Sequence, residues 1–160
     1  LSRSSAASDV YKRQAELFSV HSPWFEEYKD LYQPLSKKTL MLGKKISEDE
    51  LVAYLDEAKL IQNYLQTLMK DSKVDAWIAP VAPDFAPLGL KTTGDYRMNS
   101  IWSLTGLPVI TIPTGVNNKN LPYSLQIIGN FGEDEKLLQI SKMIVNNLNI
   151  SQIQNEWDMN

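Results

Sequence analysis

The sequence contains no cysteine, and only one of its 160 residues is a histidine, His21. Without cysteine the chain can form no disulfide, no thiolate metal site and no cysteine nucleophile. One histidine leaves little for a metal site or for a Ser-His-Asp triad. We therefore predict no metal site and no cofactor, and we interpret His21 as a structural or surface residue.

Long apolar runs and an excess of positive charge are missing as well. No segment approaches the roughly 20 consecutive apolar residues of a membrane-spanning helix, and no signal-peptide pattern opens the chain. The formal net charge of -3 disfavours nucleic acid and anionic membranes as partners. Hydrophobic residues make up 43% and charged residues 22%, as in a soluble globular domain. We expect a cytoplasmic protein.

Residues 1–13 (LSRSSAASDVYKR) show no amphipathic period. They resemble a translated sequencing adaptor, and we interpret them as a non-native tail; a native, disordered N-terminal tail is the alternative. We leave this segment out of the predicted fold. The predicted domain then covers residues 14–150, and residues 151–160 form a polar tail.

Capping and proline signals predict helices in the first half of the chain. Ser22 and Pro23 predict a helix that begins at Pro23, with Ser22 as its cap. A second helix is predicted to begin at Pro34, with Gly43 as its stop.

The clearest helix is predicted to begin after Ser47, because Ser47 and Glu50 have the spacing of a capping box. This helix should end near Lys70. Its apolar stripe is expected to face the core and consists of Leu51, Tyr54, Leu55, Ala58, Ile61, Leu65 and Met69.

The second half of the chain alternates short strands with helices. Strands are predicted at residues 76–79, 109–112 and 123–128, and helices at residues 99–105 and from Glu133 onward. This order predicts an α/β fold with short strands buried under helices. Three strands make a small sheet for helices of this length, so we expect strands from elsewhere in a longer parent chain to complete it.

A catalytic centre cannot be assembled from the residues present. The chain has neither a Gly-x-Ser-x-Gly elbow nor a Gly/Ser-rich loop that would present a nucleophilic serine. Serine and lysine are adjacent at 36–37, 72–73 and 141–142, but neighbouring residues on a helix point apart. We therefore predict no catalytic residue within this chain.

Prolines and glycines interrupt the apolar segments at regular places between residues 75 and 129. The motifs, in order, are Ile78-Ala79-Pro80, Thr93-Gly94-Asp95, Trp102, Gly106-Leu107-Pro108, Ile112-Pro113, Leu121-Pro122 and Leu125-Gln126-Ile127-Ile128-Gly129. Loops at strand ends are where α/β proteins build ligand clefts. In this order the motifs resemble the C-terminal region of the amidase signature family, and the resemblance extends over residues 14–148.

The resemblance implies a mixed β-sheet flanked by helices, of which this chain holds an incomplete part. It also implies hydrolysis of a carboxamide through a Ser-cis-Ser-Lys triad. In the family this triad lies in the N-terminal half, so we expect the chain to be a C-terminal fragment that is inactive alone. The implied partners are a small-molecule amide substrate and the missing N-terminal part of the same enzyme, and a homodimer is also open.

Two other functions stay open. Residues 86–90 and 93–95 look more like general amidases than like the A subunit of the tRNA-dependent amidotransferases. That subunit, which would release ammonia from glutamine for a charged tRNA, is the second hypothesis. The third is a stand-alone, non-catalytic binding or interaction domain.

We place part of the substrate cleft at Asp95, Asn99 and Trp102. Asp95 and Asn99 could hydrogen-bond a polar substrate group, and Trp102 offers a flat apolar surface. Each has a structural alternative, which is a turn former for Asp95, a helix cap for Asn99 and core packing for Trp102. Tyr96 stands where related amidases commonly have proline, which leaves the shape of the loop after Asp95 open.

Overall fold

The computed structural model describes residues 3–117, 119 and 121–148, and the polar tail predicted for residues 151–160 lies outside them. The helices are α1 (Arg3–Tyr28), α2 (Pro34–Gly43), α3 (Glu48–Ser72), α4 (Arg97–Thr105) and α5 (Asp134–Asn147). The strands are β1 (Trp77–Pro80), β2 (Val109–Val116) and β3 (Pro122–Ile128). This order confirms the predicted α/β class. The chain divides into two compact units inside α3, between Ile61 and Gln62.

α1 runs through Pro23 without a break, so the predicted helix start at Pro23, with Ser22 as its cap, is wrong. A proline inside a helix leaves the carbonyl four residues earlier without its backbone donor. That carbonyl belongs to Ser19, and the Ser22 hydroxyl donates a hydrogen bond to it at 2.9 Å. The serine thus replaces the lost backbone donor, and the helix continues.

The segment left out of the predicted fold is helical from Arg3 onward. Ser8 and Asp9 are buried, and the Tyr11 ring stacks on the Tyr54 ring of α3, with centroids 5.6 Å apart. This packed face could not be recognised in the sequence, because its buried residues Ser8 and Asp9 are polar. The alternative of a disordered tail is therefore wrong for residues 3–13, whereas their non-native origin and the domain boundary at residue 14 stay predictions.

His21 belongs to an aromatic cluster at the end of α1. Its Nδ1 lies 2.6 Å from the Tyr32 hydroxyl, and the same hydroxyl accepts a hydrogen bond from Trp24 Nε1 at 3.0 Å. The Phe25 ring meets the Tyr32 ring edge-on, with centroids 5.5 Å apart. These contacts fasten the turn after α1 to the helix, which agrees with a structural role for His21.

α2 begins at Pro34 and ends at Gly43, as predicted. The reason for the glycine differs from the predicted one, because Gly43 is the last residue of the helix and is buried. A Cβ atom placed on Gly43 would lie 2.0 Å from the backbone oxygen of Gln14 in α1. Glycine is therefore required because the backbones of the two helices touch at this point.

The capping box at the start of α3 forms as predicted. The Ser47 backbone N–H donates to Glu50 Oε2 at 2.8 Å, and the Glu50 backbone N–H donates to Ser47 Oγ at 3.2 Å. In the apolar stripe, Ala58, Leu65 and Met69 are buried, but Leu55 is 43% exposed. The stripe that reaches the core is thus narrower than predicted.

This cap predicts an acid-sensitive contribution to stability. The Ser47 backbone N–H, and then its hydroxyl, hold the pKa of the Glu50 carboxyl below its usual value of 4.5. Because the folded pKa is the lower one, the contribution is fully present above the unfolded pKa and is lost as pH falls through the folded pKa. We expect Glu50→Gln to be less acid-sensitive than wild type in thermal melts between about pH 6 and about pH 3. Glu48→Gln, in the same first turn, is the control; equal acid sensitivity of Glu50→Gln and wild type would contradict this role of the cap.

The three strands form an antiparallel sheet with β3 in the middle, in the order β1-β3-β2. Trp77 of β1 and Val109 of β2 both pair with Ile128 of β3. β2 was predicted to close at Pro113, but it continues to Val116 with a register irregularity just after the proline. The described strands are thus all antiparallel, whereas the resemblance implies a mixed sheet for the complete fold.

The two faces of this sheet differ. On one face Ile112, Ile127 and Leu137 of α5 form a cluster in which no member is more than 4% exposed. Side chains alternate along a strand, so Gln126 and Ile128 point to the opposite face, and both are fully buried.

Among the described helices, none is long and apolar enough to cross a membrane.

Candidate substrate-binding wall

The three predicted site residues lie in or next to α4, and we call Asp95, Asn99 and Trp102 the substrate wall. α4 begins at Arg97, two residues earlier than predicted, and ends before Gly106 as predicted. Gly106 has a left-handed φ of 68° and donates its N–H to the Trp102 carbonyl at 2.8 Å, which ends the helix.

Asp95 is exposed and is held by Arg97. Its Oδ1 accepts from the Arg97 backbone N–H at 2.9 Å, and its Oδ2 accepts from Arg97 Nε at 2.6 Å. The side-chain hydrogen bond from Arg97, followed by the backbone one, lowers the pKa of the Asp95 carboxyl below its usual 3.8. Asp95 is therefore both a turn former and a carboxylate of fixed orientation that stays ionised at neutral pH.

Asn99 is half-buried and contacts the loop that leaves β1. Its Nδ2 donates to the Val81 carbonyl at 3.1 Å. The residue at the N-cap of α4 is Tyr96, so the alternative that Asn99 caps the helix is wrong. Since the amide nitrogen is bound to the protein's own backbone, the amide oxygen is the group that could accept a hydrogen bond from a substrate.

Trp102 is half-buried against Trp77 of β1. The two ring centroids are 6.1 Å apart and the planes are inclined by 34°. The Trp102 Nε1 atom is buried and has no hydrogen-bond partner among the described residues. This contact favours core packing, the structural alternative to a substrate contact, for much of the Trp102 ring. It also holds α4 against β1.

Sequence-based prediction missed Gln126. This side chain is fully buried, and its Nε2 donates both to the Pro80 carbonyl at 2.9 Å and to the Met98 carbonyl at 3.0 Å. The signal was present, because Gln126 is the polar residue within the apolar run from Leu125 to Ile128. A buried amide in such a run indicates a partner that the strand itself does not supply.

A cavity of about 400 Å³ lies at the other end of β1. Asp75, Asn130, Glu133 and Lys136 are among its lining residues, and no residue of the substrate wall is. Lys136 Nζ lies 2.8 Å from Asp75 Oδ1 and 3.5 Å from Glu133 Oε2. The hydrogen bond to Asp75 is the first cause of the raised pKa of Lys136, so this lysine of the cavity is already paired. Within the described part of the chain, no three histidine or acidic side chains come together as a metal site would require.

Residues 4–138 match the family model described as Amidase. The chain belongs to the amidase family. The match confirms the resemblance seen in the ordered proline and glycine motifs. It begins before the predicted boundary at Gln14 and includes α1 from its second residue onward.

Curated relatives are longer than this chain. The A subunit of the glutamyl-tRNA(Gln) amidotransferase of Chlorobium chlorochromatii (strain CaD3) is 31% identical over 119 residues, which are 68% of this chain and 25% of that protein. Its counterpart in Ehrlichia ruminantium (strain Gardel) is 32% identical over 117 residues, which are 68% and 24% of the two chains. The chain thus spans about a quarter of the length of the curated relatives it matches.

Solved structures share the fold. The crystal structure of an amidase superposes with a TM-score of 0.71 at 26% identity and covers 82% of this chain and 33% of that one. 6-Aminohexanoate cyclic dimer hydrolase, complexed with substrate, superposes with a TM-score of 0.75 at 16% identity and covers 92% and 35% of the two chains; at this identity the likeness shows the fold alone. The described elements are therefore part of the amidase-signature fold, as predicted, and the chain covers only part of it.

Proposed function

We propose that this chain is the C-terminal part of an amidase that hydrolyses carboxamide C–N bonds, and that its Ser-cis-Ser-Lys triad lies outside these residues. The observation that carries the proposal is the family match over residues 4–138, combined with coverage of only 33% of a solved amidase. The absence of a Gly/Ser-rich loop from the sequence supports it. We call the longer protein that contains this chain the parent enzyme.

In the proposed mechanism the nucleophilic serine attacks the amide carbon and passes its proton through the bridging serine to the lysine. The C–N bond breaks as the amine takes up a proton, and water then cleaves the acyl-enzyme to give the acid and the free serine. This chain contributes the fold core and the substrate wall. Asp95 is a carboxylate of fixed orientation, and it would bind a donor group of the substrate.

Replacing Asp95 in the parent enzyme tests this assignment. We expect Asp95→Ala to lower kcat/KM about ten-fold, mainly through KM, because a hydrogen bond to a charged group is lost in both the ground state and the transition state. Asp95→Asn keeps an oxygen that can accept from the Arg97 backbone N–H but removes the negative charge. It therefore distinguishes the effect of losing the charge from the effect of disturbing the turn. Asp84→Ala is the matched control, since Asp84 is also exposed and accepts a hydrogen bond from the backbone N–H of its neighbour Phe85 in the same loop. Unchanged kinetics in Asp95→Ala would remove Asp95 from the wall.

A second candidate function has its own support. The 31% identity to the A subunit of a glutamyl-tRNA(Gln) amidotransferase extends over 68% of this chain. The parent protein would then release ammonia from glutamine for a charged tRNA and would need further protein partners. The preference for general amidases based on residues 86–95 stays a prediction.

Substrate tests separate the two candidates. The parent enzyme is incubated with a panel of simple amides, and separately with glutamine, glutamyl-tRNA and the partner subunits, and ammonia release is measured. We expect hydrolysis of simple amides without partners. Ammonia release that requires glutamine, tRNA and partner subunits would establish the second candidate instead.

We further propose a cytoplasmic location and an association with the remaining part of the same enzyme. Size-exclusion chromatography with light scattering would test for a homodimer.

A further inference from the structure

Gln126 joins the two ends of the loop that lies between β1 and α4. Its side-chain nitrogen donates to the carbonyl of Pro80, the last residue of β1, and to the carbonyl of Met98, the second residue of α4. Both hydrogens of the amide are thereby used. One side chain on the central strand therefore fixes the distance between the end of β1 and the start of α4.

Asn99 supplies a second amide beside the first. Its Nδ2 donates to the carbonyl of Val81 at 3.1 Å, and the Val81 N–H donates to the Ser124 carbonyl of β3 at 3.1 Å. The consecutive carbonyls of Pro80 and Val81 are thus bound by two different side-chain amides. We name these two residues, Gln126 and Asn99, the amide clasp.

The loop above the clasp is held mainly by local contacts. Hydrogen bonds inside it join near neighbours, such as Gly94 N–H to Thr92 Oγ1 at 3.1 Å. A ring contact reaches β3, where the Phe85 ring meets the Tyr123 ring edge-on at 6.1 Å between centroids. Leu88 and Leu90 at its tip are fully exposed. The position of Asp95 thus depends on how the base of the loop is held.

We propose that Gln126 is a positioning residue of the substrate wall. It contacts no substrate, and it acts by holding the start of α4, and with it Asp95 and Asn99, at a fixed distance from the end of β1. This inference rests on the proposed function, because the clasp is proposed to position residues of the substrate cleft. A buried amide is suited to this role because both of its donors meet carbonyls of different elements, which an apolar side chain of the same size could not bind.

The test replaces the donors without changing the size of the side chain. Gln126→Glu presents oxygen to the Pro80 and Met98 carbonyls, and Asn99→Asp presents oxygen to the Val81 carbonyl. Asn99→Asp is the milder variant, because Asn99 is half-buried whereas Gln126 is fully buried. Gln139→Glu makes the same chemical change at an exposed position of α5 and is the control.

Two measurements are made on each variant of the parent enzyme. Hydrogen exchange with mass spectrometry compares peptides from α4 with peptides from α5. We expect exchange in α4 to be about ten-fold faster in Gln126→Glu, with exchange in α5 unchanged. The variant lacks the hydrogen bonds that wild-type α4 must break to open, so local opening costs less free energy. Steady-state kinetics with an amide substrate should show a rise in KM of about ten-fold and a smaller change in kcat, because the reacting groups lie on another part of the enzyme.

The outcomes separate this inference from the proposed function. Faster exchange in α4 in Gln126→Glu or in Asn99→Asp supports the clasp, and a raised KM in Gln126→Glu, whose side chain is not part of the substrate wall, supports the positioning role, provided that Gln139→Glu changes neither. Unchanged exchange in α4 in both variants overturns the clasp, whether or not the parent enzyme is an amidase. Faster exchange with unchanged KM and kcat overturns the positioning role. A parent protein that hydrolyses no amide overturns the proposed function, and the exchange measurement still decides the clasp.

Discussion

Replacing Gly43 with alanine is expected to destabilise the unit formed by α1, α2 and the first half of α3 by about 3 kcal/mol. The added Cβ atom would lie 2.0 Å from the Gln14 carbonyl oxygen, 2.6 Å from the Gln14 carbonyl carbon and 3.0 Å from Phe18 Cβ. Two of these are backbone atoms of a helix, which cannot turn aside as the end of a flexible side chain can. The helices must therefore separate, and the buried Phe25 and Leu40 lose contacts.

The effect is measured as the change in the free energy of unfolding, from urea denaturation of the parent enzyme followed by circular dichroism. Gly132→Ala is the matched control, because Gly132 has a φ of +76° but nothing lies within 4 Å of its added Cβ atom. The control carries only the cost of a left-handed conformation, about 1 kcal/mol. A Gly43→Ala protein as stable as wild type, or no less stable than Gly132→Ala, would show that α1 and α2 do not approach as described.

The second large effect concerns activity. We expect the parent enzyme to hydrolyse simple amides and residues 1–160 alone to show no hydrolysis above the uncatalysed rate, because the sequence has no Gly/Ser-rich loop that would present a nucleophilic serine and the proposed triad lies outside it. The two proteins are compared at equal concentration by ammonia release. Hydrolysis by residues 1–160 at a rate comparable to that of the parent enzyme would contradict the proposal.

The stand-alone domain makes the opposite prediction about folding. It requires residues 1–160 to purify as a monomer that unfolds cooperatively. We expect aggregation or partial folding instead, because β1 and β2 each pair only with β3 among the described residues, which leaves strand edges open. Large apolar side chains such as Leu31, Leu88 and Leu90 are also strongly exposed.

Local interactions made much of the fold predictable from the sequence. The capping box could be predicted because Ser47 and Glu50 are only three residues apart, and each side chain accepts a hydrogen bond from the other's backbone N–H. The short strands could be placed because apolar β-branched runs end at proline or glycine. Pro23 led to a wrong helix start, because the compensating bond from Ser22 to Ser19 depends on a side-chain orientation that the pattern does not contain.

Contacts between distant segments could not be predicted in the same way. Gly43 looks like a helix stop until Gln14 of another helix is known to touch it. Gln126 looks like one more strand residue until the carbonyls of Pro80 and Met98 are placed beside it. The substrate wall was chosen from its motif, and the structure adds that Asp95 is held by Arg97 and that the Trp102 ring packs on Trp77.

Covalent labelling tests most directly whether this chain belongs to an amidase whose nucleophile lies on another part of the protein. A fluorophosphonate, which reacts with activated serine hydroxyls, is incubated with the parent enzyme, and mass spectrometry locates the modified peptide. We expect one labelled serine, outside residues 1–160, and loss of amide hydrolysis in proportion to labelling. Labelling of a serine within this chain, such as Ser36 or Ser72, with the same loss of activity would contradict the proposed placement of the nucleophile.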